Sequence, residues 1–440
     1  MRKLLTTFGI LASLSLLLPS PAYSALDIEL TKGVVAAIPI AIVPFAGGEE
    51  AKAVTDTITS DLENSGRFTS LDAAKMTQQP HKESDINYGY WRKSGAEDII
   101  IGEVTHSMGK YKVNVALYSV FANQSTDGAK PKEHLIFSQE YTVNKSELRR
   151  LSHHISDEIY QHLTGEKGIF STRLAYVLVQ RHPKKPTQYQ LVIADVDGVE
   201  PRPILTSDQP IMSPAWSPDG KQVAYVSFEN HRAKIYISDI ATGKRRLVSN
   251  YPGINGAPAW SPDGKSLAMV LSKDGSPNIY IKNLDTDQLT QVTRDWAIDT
   301  EPHFAPDGKS LVYTSDRGGS PQVYQVDLAS EQTQRLTFDG RYNARPSLTP
   351  DGKQLLVLHR KNSMFGIAML DLNSNGVIEL TKSGLHESPT LAPNGSMVAF
   401  ATNLGYRTVL GMASTDGNVT LRLPDQQGDV QDPAWSPFLN

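Results

Sequence analysis

A repeat of about 44 residues constrains the fold of this chain more than any other feature. A large apolar residue follows two positions after each of six regularly spaced prolines, and a second proline follows four positions after each. The next two positions are Asp-Gly in four copies and Asn-Gly in a fifth. Such regularity indicates a repeated structural unit rather than a duplicated functional loop. The anchor prolines, spaced by 44, 44, 44, 43 and 44 residues, are Pro214, Pro258, Pro302, Pro346, Pro389 and Pro433.

Each repeat has the pattern of four short strands. The stretch "SPAWSPDGKQVAYVS", Ser213 to Ser227, holds one strand, a Pro-Asp-Gly turn and an alternating second strand. In such a turn proline sets φ, aspartate hydrogen-bonds nearby backbone and glycine takes a positive φ. A third strand is centred on Tyr236, and an outer strand follows the turn near "DIATGK". Four strands on this period predict a blade of a β-propeller, similar to a WD40 repeat.

The ends of the repeat array predict how the propeller closes. The sequence around Pro433 holds only one strand of a unit, whereas "TRLAYVLVQ", Thr172 to Gln180, matches the strand that normally follows the anchor. We therefore expect a six-bladed β-propeller over residues 169–440, closed by the C-terminal strand. Closure of this kind leaves few exposed sheet edges.

Residues 25–168 have a different pattern, which predicts a small N-terminal α/β domain. A buried strand in "VAAIPIAIVPF" precedes a helix from Glu49 to Asn64, with Gly66 in the position of a C-terminal cap. Three strands follow, in "DIIIGEV", "YKVNVALYSVF" and "HLIFSQEYTV". A last helix begins at Asn144, where Glu147 completes a capping pair. The "GEKG" stretch after it is predicted to be a hinge into the propeller, and the "ALDIELTKG" segment an extended tail.

The first 24 residues have the pattern of a cleavable secretory signal peptide. Arg2 and Lys3 precede an apolar run, and "AYS" provides small residues just before Ala25, where cleavage is expected. The run is shorter than the roughly 20 residues of a membrane span, which disfavours an uncleaved anchor. The sequence contains no cysteine, so an exported fold would depend on its core without disulfides.

Composition and motifs argue against nucleic-acid binding and against catalysis. The formal net charge of −4 provides no basic excess for phosphates. There is no Gly-x-Ser-x-Gly pentapeptide, and the Gly-Lys-Ser sequences at Gly264 and Gly308 lack the earlier glycine of a phosphate loop. "DLNSNG" is followed by Lys382 where a calcium loop needs glutamate. We therefore predict no catalytic residues, no cofactor and no metal ligands.

The histidines were the remaining candidates for chemistry. His153, His154 and His162 fall on the last helix of the N-terminal domain, where neighbours in sequence point to different faces. Packing or solvated roles are expected for them. His303 follows an anchor proline and is expected to face the channel, but one histidine without a second ligand is poor evidence for a metal.

The order of these elements resembles the TolB family, the periplasmic component of the Tol–Pal system of Gram-negative envelopes. The resemblance spans essentially the whole mature chain and is carried by "IAIVPF", "DLENSGRF", "HHISDEIYQHLTGEKGIFSTRLAYV", "MSPAWSPDGKQVAYVSFE" and "DPAWSP". It implies a non-enzymatic periplasmic protein whose propeller face binds the peptidoglycan-associated lipoprotein. It also implies contact with an inner-membrane-anchored Tol protein, roles in outer-membrane integrity and cell division, and exploitation of the channel by bacteriocins.

The positions where the repeats stop agreeing predict a partner-binding surface. The two residues before each anchor proline vary in charge and size, and they belong to loops that emerge on one face of a propeller. Loops that drift without constraint would vary in the same way. On the N-terminal tail, the resemblance implies contacts by Leu26, Asp27, Ile28, Glu29 and Leu30. On the propeller face, the candidates are Ile254, Asn255, Ala257, Thr300, Glu301, Arg345 and Glu387.

Two other functions remain open at this level. An exported hydrolase or lyase would use the propeller channel as its active site, and carboxylates clustered with histidine inside the channel would favour it. A carbohydrate-binding module would present aromatic platforms on the channel face. A rim of mixed charge favours a protein partner.

Overall fold

The computed structural model describes residues 27–30, 37–121, 134–361, 364–381, 386–424 and 426–439. The elements before the propeller are β1 (Asp27–Leu30), β2 (Ile38–Ile42), α1 (Glu49–Asn64), β3 (Phe68–Ser70), α2 (Tyr88–Lys93), β4 (Asp98–Ser107), β5 (Lys110–Ser119), β6 (Leu135–Val143) and α3 (Leu148–Thr164). Strands β2 to β6 form a five-stranded sheet with the order β3-β2-β4-β5-β6, in which β2 is parallel to β3 and β4 and the other pairs are antiparallel.

Strand alternation divides the core of this sheet between its two faces. Ile100 of β4 packs on the side that carries α1 and α3, whereas Ile99 and Ile101 pack on the side that carries Trp91 of α2. The predicted helix from Glu49 to Asn64 is confirmed. The predicted cap at Asn144 is also confirmed, as a capping box with Glu147 ahead of α3.

Six further sheets form the propeller, one for each blade, as predicted. Within each blade the strands run antiparallel from the inner to the outer position. Blade 1 contains β7 (Arg173–His182), β8 (Lys185–Asp195) and β9 (Arg202–Ser207); blade 2 contains β10 (Ile211–Trp216), β11 (Gln222–Ser227), β12 (Lys234–Asp239) and β13 (Arg245–Ser249); blade 3 contains β14 (Asn255–Trp260), β15 (Ser266–Leu271), β16 (Asn278–Asn283) and β17 (Leu289–Gln291).

The second half of the propeller repeats this arrangement. Blade 4 contains β18 (Asp299–Phe304), β19 (Ser310–Ser315), β20 (Gln322–Asp327) and β21 (Thr333–Arg335); blade 5 contains β22 (Tyr342–Leu348), β23 (Gln354–Lys361), β24 (Met364–Asp371) and β25 (Val377–Glu379); blade 6 contains β26 (His386–Leu391), β27 (Met397–Leu404), β28 (Arg407–Ser414) and β29 (Val419–Arg422). The last strand, β30 (Asp429–Trp435), is the inner strand of blade 1.

Pairing between β30 and β7 closes the ring, as the ends of the repeat array predict. The two strands are antiparallel, with Trp435 opposite Leu174. The indole Nε1 of Trp435 also donates to Thr172 Oγ1 at 2.8 Å. Blade 1 is therefore assembled from two segments that are far apart in sequence.

The tryptophans that follow the anchor prolines join neighbouring blades. Nε1 of Trp260 in blade 3 donates to the carbonyl of Ala215 in blade 2 at 3.1 Å. Nε1 of Trp216 makes the equivalent bond to the carbonyl of Ala434 in blade 1, also at 3.1 Å. Each indole thus satisfies its donor in the adjacent sheet while its ring fills the space between the two blades.

The segment between α3 and β7, which we predicted to be a hinge, is tied to the helix. The carboxylate of Asp157 in α3 accepts hydrogen bonds from the backbone amides of Phe170 at 2.7 Å and Ser171 at 3.1 Å. Gly168 lies so close to α3 that an added Cβ would clash with the carboxylate of Asp157. These contacts fix the path of the chain. The exact boundary at residue 168 stays a prediction.

The N-terminal tail contributes a strand to the propeller. β1 pairs antiparallel with β29 at the outer edge of blade 6, with Asp27 opposite Arg422 and Leu30 opposite Val419. Leu26 and the predicted signal peptide lie outside the described residues. Among the helices that the structure describes, none combines the length and the apolar character needed to cross a membrane.

Candidate partner-binding face

The loops that lead from each blade to the next emerge on one side of the propeller, which we call the rim face. In blade 3, the first residue of the inner strand, Asn255, pairs with Leu271 at the end of the second strand. Leu271 pairs in turn with Asn278 at the start of the third strand. The hairpins between second and third strands therefore share the rim face. The Pro-Asp-Gly turns emerge on the opposite side, which we call the turn face.

A β-bulge interrupts every inner strand on the rim side, directly before the anchor proline. The register shifts there in all six blades. The residue before the proline has a positive φ, which is unusual for a side chain other than glycine and more so before proline. A bulge redirects the side chain of its extra residue. These six residues, which we call the bulge ring, are Ser213 (φ 50), Ala257 (φ 45), Glu301 (φ 54), Arg345 (φ 52), Ser388 (φ 53) and Asp432 (φ 46).

Arg345 connects most of the bulge ring across the mouth of the channel. Its Nη1 donates to Ser388 Oγ at 2.6 Å and to Asp432 Oδ1 at 3.1 Å. Its Nε lies 3.3 Å from Glu301 Oε1, and its backbone amide donates to Glu301 Oε2 at 2.9 Å. Asp432 accepts further bonds from Ser388 Oγ and from the backbone amide of Ser213. Side chains from four blades and a backbone amide from a fifth therefore form one hydrogen-bonded network.

The charges of this network are mutually stabilised. Burial disfavours the charged form of Asp432, but Arg345 and the hydrogen bonds from Ser388 and Ser213 hold the pKa of its carboxyl below the ordinary value. Burial likewise opposes the charge of Arg345, yet Asp432 and Glu301 raise the pKa of its guanidinium. With two carboxylates and one guanidinium, the ring carries a formal charge of −1 at neutral pH.

Exposed apolar side chains surround the bulge ring on the same face. They lie in the loops between blades and in the hairpins that share the rim side. Trp296 is 79% exposed and Phe338 is 69% exposed, although aromatic residues of this size are usually buried. Exposed apolar clusters bordered by polar groups are typical of interaction surfaces. This set, the apolar collar, comprises Met212, Ile254, Trp296, Ile298, Phe338, Met364, Leu404 and Tyr406.

The predicted propeller-face residues fall in four different environments. Ile254 lies in the apolar collar, and Ala257, Glu301 and Arg345 lie in the bulge ring. Glu387 is exposed beside Ser388, and Thr300 is partly buried beside Glu301.

Asn255 differs from the other candidates because it is buried beneath the rim. Its Oδ1 accepts from the backbone amide of Tyr251 at 2.9 Å, and its Nδ2 donates to the carbonyl of Tyr251 at 2.7 Å. Only 1% of the residue is exposed. Any effect of Asn255 on binding would therefore act through the shape of the loop that carries Ile254.

Sequence reasoning missed part of this surface. Ser213, Ser388 and Asp432 occupy the same repeat position as Glu301 and Arg345, so the position before the anchor proline was the available signal. Trp296 and Phe338 lie in loops between blades, and the repeat pattern did not single them out.

His303 lies in an inner strand. Its Nε2 is 3.3 Å from Ser347 Oγ of the next blade, and burial lowers the pKa of its imidazole.

Comparisons with known proteins agree with this architecture. The family profile described as the TolB beta propeller domain matches residues 160–439, and the profile of the TolB amino-terminal domain matches residues 26–126. The Tol-Pal system protein TolB of Coxiella burnetii is 60% identical over 426 residues, covering 95% of each chain. The protein of the same name from Legionella pneumophila strain Corby is 54% identical over 433 residues, covering 98% of this chain and 100% of the relative.

Solved structures give the same result. The crystal structure of TolB from Acinetobacter baumannii superimposes with a TM-score of 0.84 at 41% identity, covering 94% of this chain and 100% of that one. Sequence identity at this level over nearly the full length, together with both domain profiles, leads to one conclusion. The chain belongs to the TolB family of Tol–Pal system proteins.

Proposed function

We propose that this chain is a periplasmic, non-catalytic binding component of the Tol–Pal system. Its rim face would bind the peptidoglycan-associated lipoprotein, and its N-terminal tail would bind an inner-membrane-anchored Tol protein. Residues 1–24 would be the signal peptide that directs export. In this role the protein would support outer-membrane integrity and invagination at cell division. Bacteriocin translocation segments are proposed as competing ligands of the same face.

The observation that carries this proposal is the combination of the bulge ring and the apolar collar. Interfaces between proteins commonly place apolar and aromatic anchors beside a small number of oriented polar groups. Trp296 and Phe338 are large exposed anchors, and Arg345 and Glu301 are held in fixed positions by their mutual contacts. A partner can therefore bury apolar area and meet preorganised charges on one face.

The edge position of the tail supports the second part of the proposal. β1 is the terminal strand of the blade 6 sheet, with β29 on one side only. An edge strand can pair with a strand of another protein through its backbone groups. The tail could bind such a partner while docked on blade 6, or after leaving it.

Calorimetric titration against the soluble domain of the peptidoglycan-associated lipoprotein tests the rim face. The chain from Ala25 onward should bind saturably. Trp296→Ala should weaken binding by about 10-fold or more, because a buried tryptophan anchor at an interface can contribute more than about 1.4 kcal/mol. Glu387→Lys is preferable to Glu301→Lys as a charge reversal, because Glu301 also holds Arg345 in the bulge ring.

The turn face provides the matched control. Lys265 is exposed in a Pro-Asp-Gly turn, so Lys265→Glu reverses a charge on the side away from the proposed interface. This variant should bind as the unmodified protein does. Weakening by Lys265→Glu alone would move the site to the turn face. Absence of binding by all of the folded proteins would overturn the lipoprotein as a partner.

A further inference from the structure

A buried histidine at the contact between α3 and blade 1 has a ring nitrogen without a hydrogen bond. His153 is only 2% exposed, and its Nδ1 lies 2.8 Å from Asp61 Oδ2. Within the described part of the chain, its Nε2 has no hydrogen-bond partner. Nε2 lies 4.0 Å from Asp195 Oδ2 and 3.9 Å from Asp197 Oδ2. We propose that His153, Asp195 and Asp197 bind a divalent cation that joins the helix to the first blade.

The contact with Asp61 prepares His153 for this role. A carboxylate that accepts the Nδ1 proton fixes the tautomer and leaves the Nε2 lone pair free, which is the usual arrangement behind metal-binding histidines. Asp61 is itself buried in α1, with 4% of the residue exposed. The proton position is assigned from this hydrogen bond. In this tautomer Nε2 points an acceptor lone pair toward the carboxylates of Asp195 and Asp197, and a cation between them would satisfy Nε2 and add to the contacts that Arg149 makes with both carboxylates.

The spacing of the three groups suits a small ion. Distances of 3.9–4.0 Å are too long for hydrogen bonds from Nε2, and the three ligand atoms lie within 4.8 Å of one another. Nitrogen and oxygen ligands at about 2.0–2.2 Å around tetrahedral zinc are about 3.4 Å apart. An inward movement of less than about 1 Å would bring the three atoms to that spacing. Water would provide the fourth ligand.

A cation has a route to this position. The side chains of Asp195 and Asp197 are 20% and 21% exposed. A cleft of about 760 Å³ between the helix and the turn face reaches His153 and Asp195. The buried imidazole therefore forms the inner wall of the site, and the two carboxylates lie on its accessible side.

The neighbouring arginines and the imidazole ligand determine how strongly each kind of ion would bind. Arg149 forms an ion pair with Asp197 and lies 3.4 Å from Asp195 Oδ2, while Arg173 Nε lies 3.9 Å from Asp195 Oδ1. With Asp61, the three carboxylates and two guanidiniums sum to −1 when His153 is neutral. The two guanidiniums oppose the binding of any divalent cation, and the imidazole ligand favours Zn²⁺ and related transition ions over hard cations such as Ca²⁺. A proton on His153 Nε2 would compete with a metal ion for the same position.

Cobalt provides a direct test because a histidine–carboxylate site gives Co²⁺ a visible absorption spectrum. Metal-stripped full-length protein should bind one Co²⁺ at pH 7.5, and Zn²⁺ should displace it. His153→Gln should weaken binding by about 10-fold or more. His154→Gln is the matched control, because His154 is the adjacent residue but is exposed. It should leave the affinity unchanged.

Several results would overturn the site. One is the absence of a Co²⁺ spectrum together with no effect of Zn²⁺ on the unfolding temperature. Equal binding by His153→Gln would place the ion elsewhere. A pH dependence of stability that requires His153 but is unchanged by Zn²⁺ would show that a proton, and not a metal ion, occupies Nε2. If His153→Gln fails to fold, the ¹⁵N chemical shift of His153 Nε2 is measured in the unmodified protein with and without Zn²⁺. An unchanged chemical shift would contradict the proposal.

Discussion

The two faces of the propeller are made by the same repeats but satisfy their polar groups differently. On the turn face, each Pro-Asp-Gly turn is closed within its own blade. The carboxylate of Asp263 accepts from Ser261 Oγ at 2.6 Å and from the backbone amide of Lys265 at 3.0 Å. The same bonds recur at Asp219, with Ser217 and Lys221. The hydrogen bonds of each such turn therefore lie within a single repeat.

The rim face depends on several blades at once. Arg345 of blade 5 contacts Glu301 of blade 4, Ser388 of blade 6 and Asp432 of blade 1. The bulge ring therefore requires the closed propeller, because its members come together only around the channel. Local sequence therefore determines the turn face, whereas ring closure creates the surface proposed for binding.

Of the changes considered, removal of the closing strand should disrupt the rim face most, because the rim face depends on the closed propeller. A chain ending at Gly428 loses all of β30, including Trp435 and its bond to Thr172, and it leaves the inner edge of β7 without a partner strand. We expect loss of cooperative unfolding and a larger radius, measured by thermal denaturation and small-angle scattering. A chain ending at Phe438 retains all of β30 and should behave as the full protein. A compact, cooperative product from the shorter chain would contradict the closure mechanism.

Arg345→Ala should have the next largest effect, because it leaves Glu301 and Asp432 without their cation. Loss of one partner from a buried ion pair costs about 3–5 kcal/mol, and the partial exposure of Arg345 reduces this to about 2–3 kcal/mol. Urea denaturation at pH 7 measures the free energy of unfolding. Lys353→Ala, on the turn face of the same blade, should change it by less than about 0.5 kcal/mol.

The pH dependence of the same variant gives an independent check. Because the folded pKa of Asp432 is depressed, its stabilisation is present above the unfolded pKa of about 3.9 and is lost as pH falls through the folded pKa. The difference between the unmodified protein and Arg345→Ala should therefore shrink at low pH. A gap at pH 3 as large as that at pH 7 would mean that the charge of Asp432 is not the cause.

Asp263→Ala should have the smallest effect of the three. It removes the bonds from Ser261 and Lys265 within a single turn, which should cost about 1 kcal/mol in urea denaturation. Lipoprotein binding should not change, because the bulge ring and the apolar collar lie on the other face. A loss of binding would show that the two faces are coupled.

Periodic features of the sequence predicted most of the fold. The 44-residue period gave six blades and the closing strand, and the apolar stripe and caps gave the helices from Glu49 and Asn144, because these signals act between near neighbours. The pairing of β1 with β29 was not predictable, because the sequence of an extended segment does not indicate which sheet edge it will pair with. The position before each proline indicated Glu301 and Arg345 as candidates, but not their joint contact with Asp432.

The site proposed at His153 illustrates the same limit. The sequence placed His153 and His154 on different faces of one helix, and the structure confirms that one is buried and the other exposed. Asp195 and Asp197 lie in a hairpin of blade 1 that reads as an ordinary turn. Only the packing of α3 against that blade brings the three side chains together.

The assembly of blade 1 from two distant segments also determines when folding can finish. Trp435 follows Thr172 by 263 residues, so β7 receives its inner partner only after the chain of the five other blades has become available. Until β30 pairs with it, the inner edge of β7 is an unpaired strand edge, the kind of template on which chains aggregate. The blade that starts the ring is thus the last to be completed. That edge therefore needs protection until the last strand of the propeller has paired with the first.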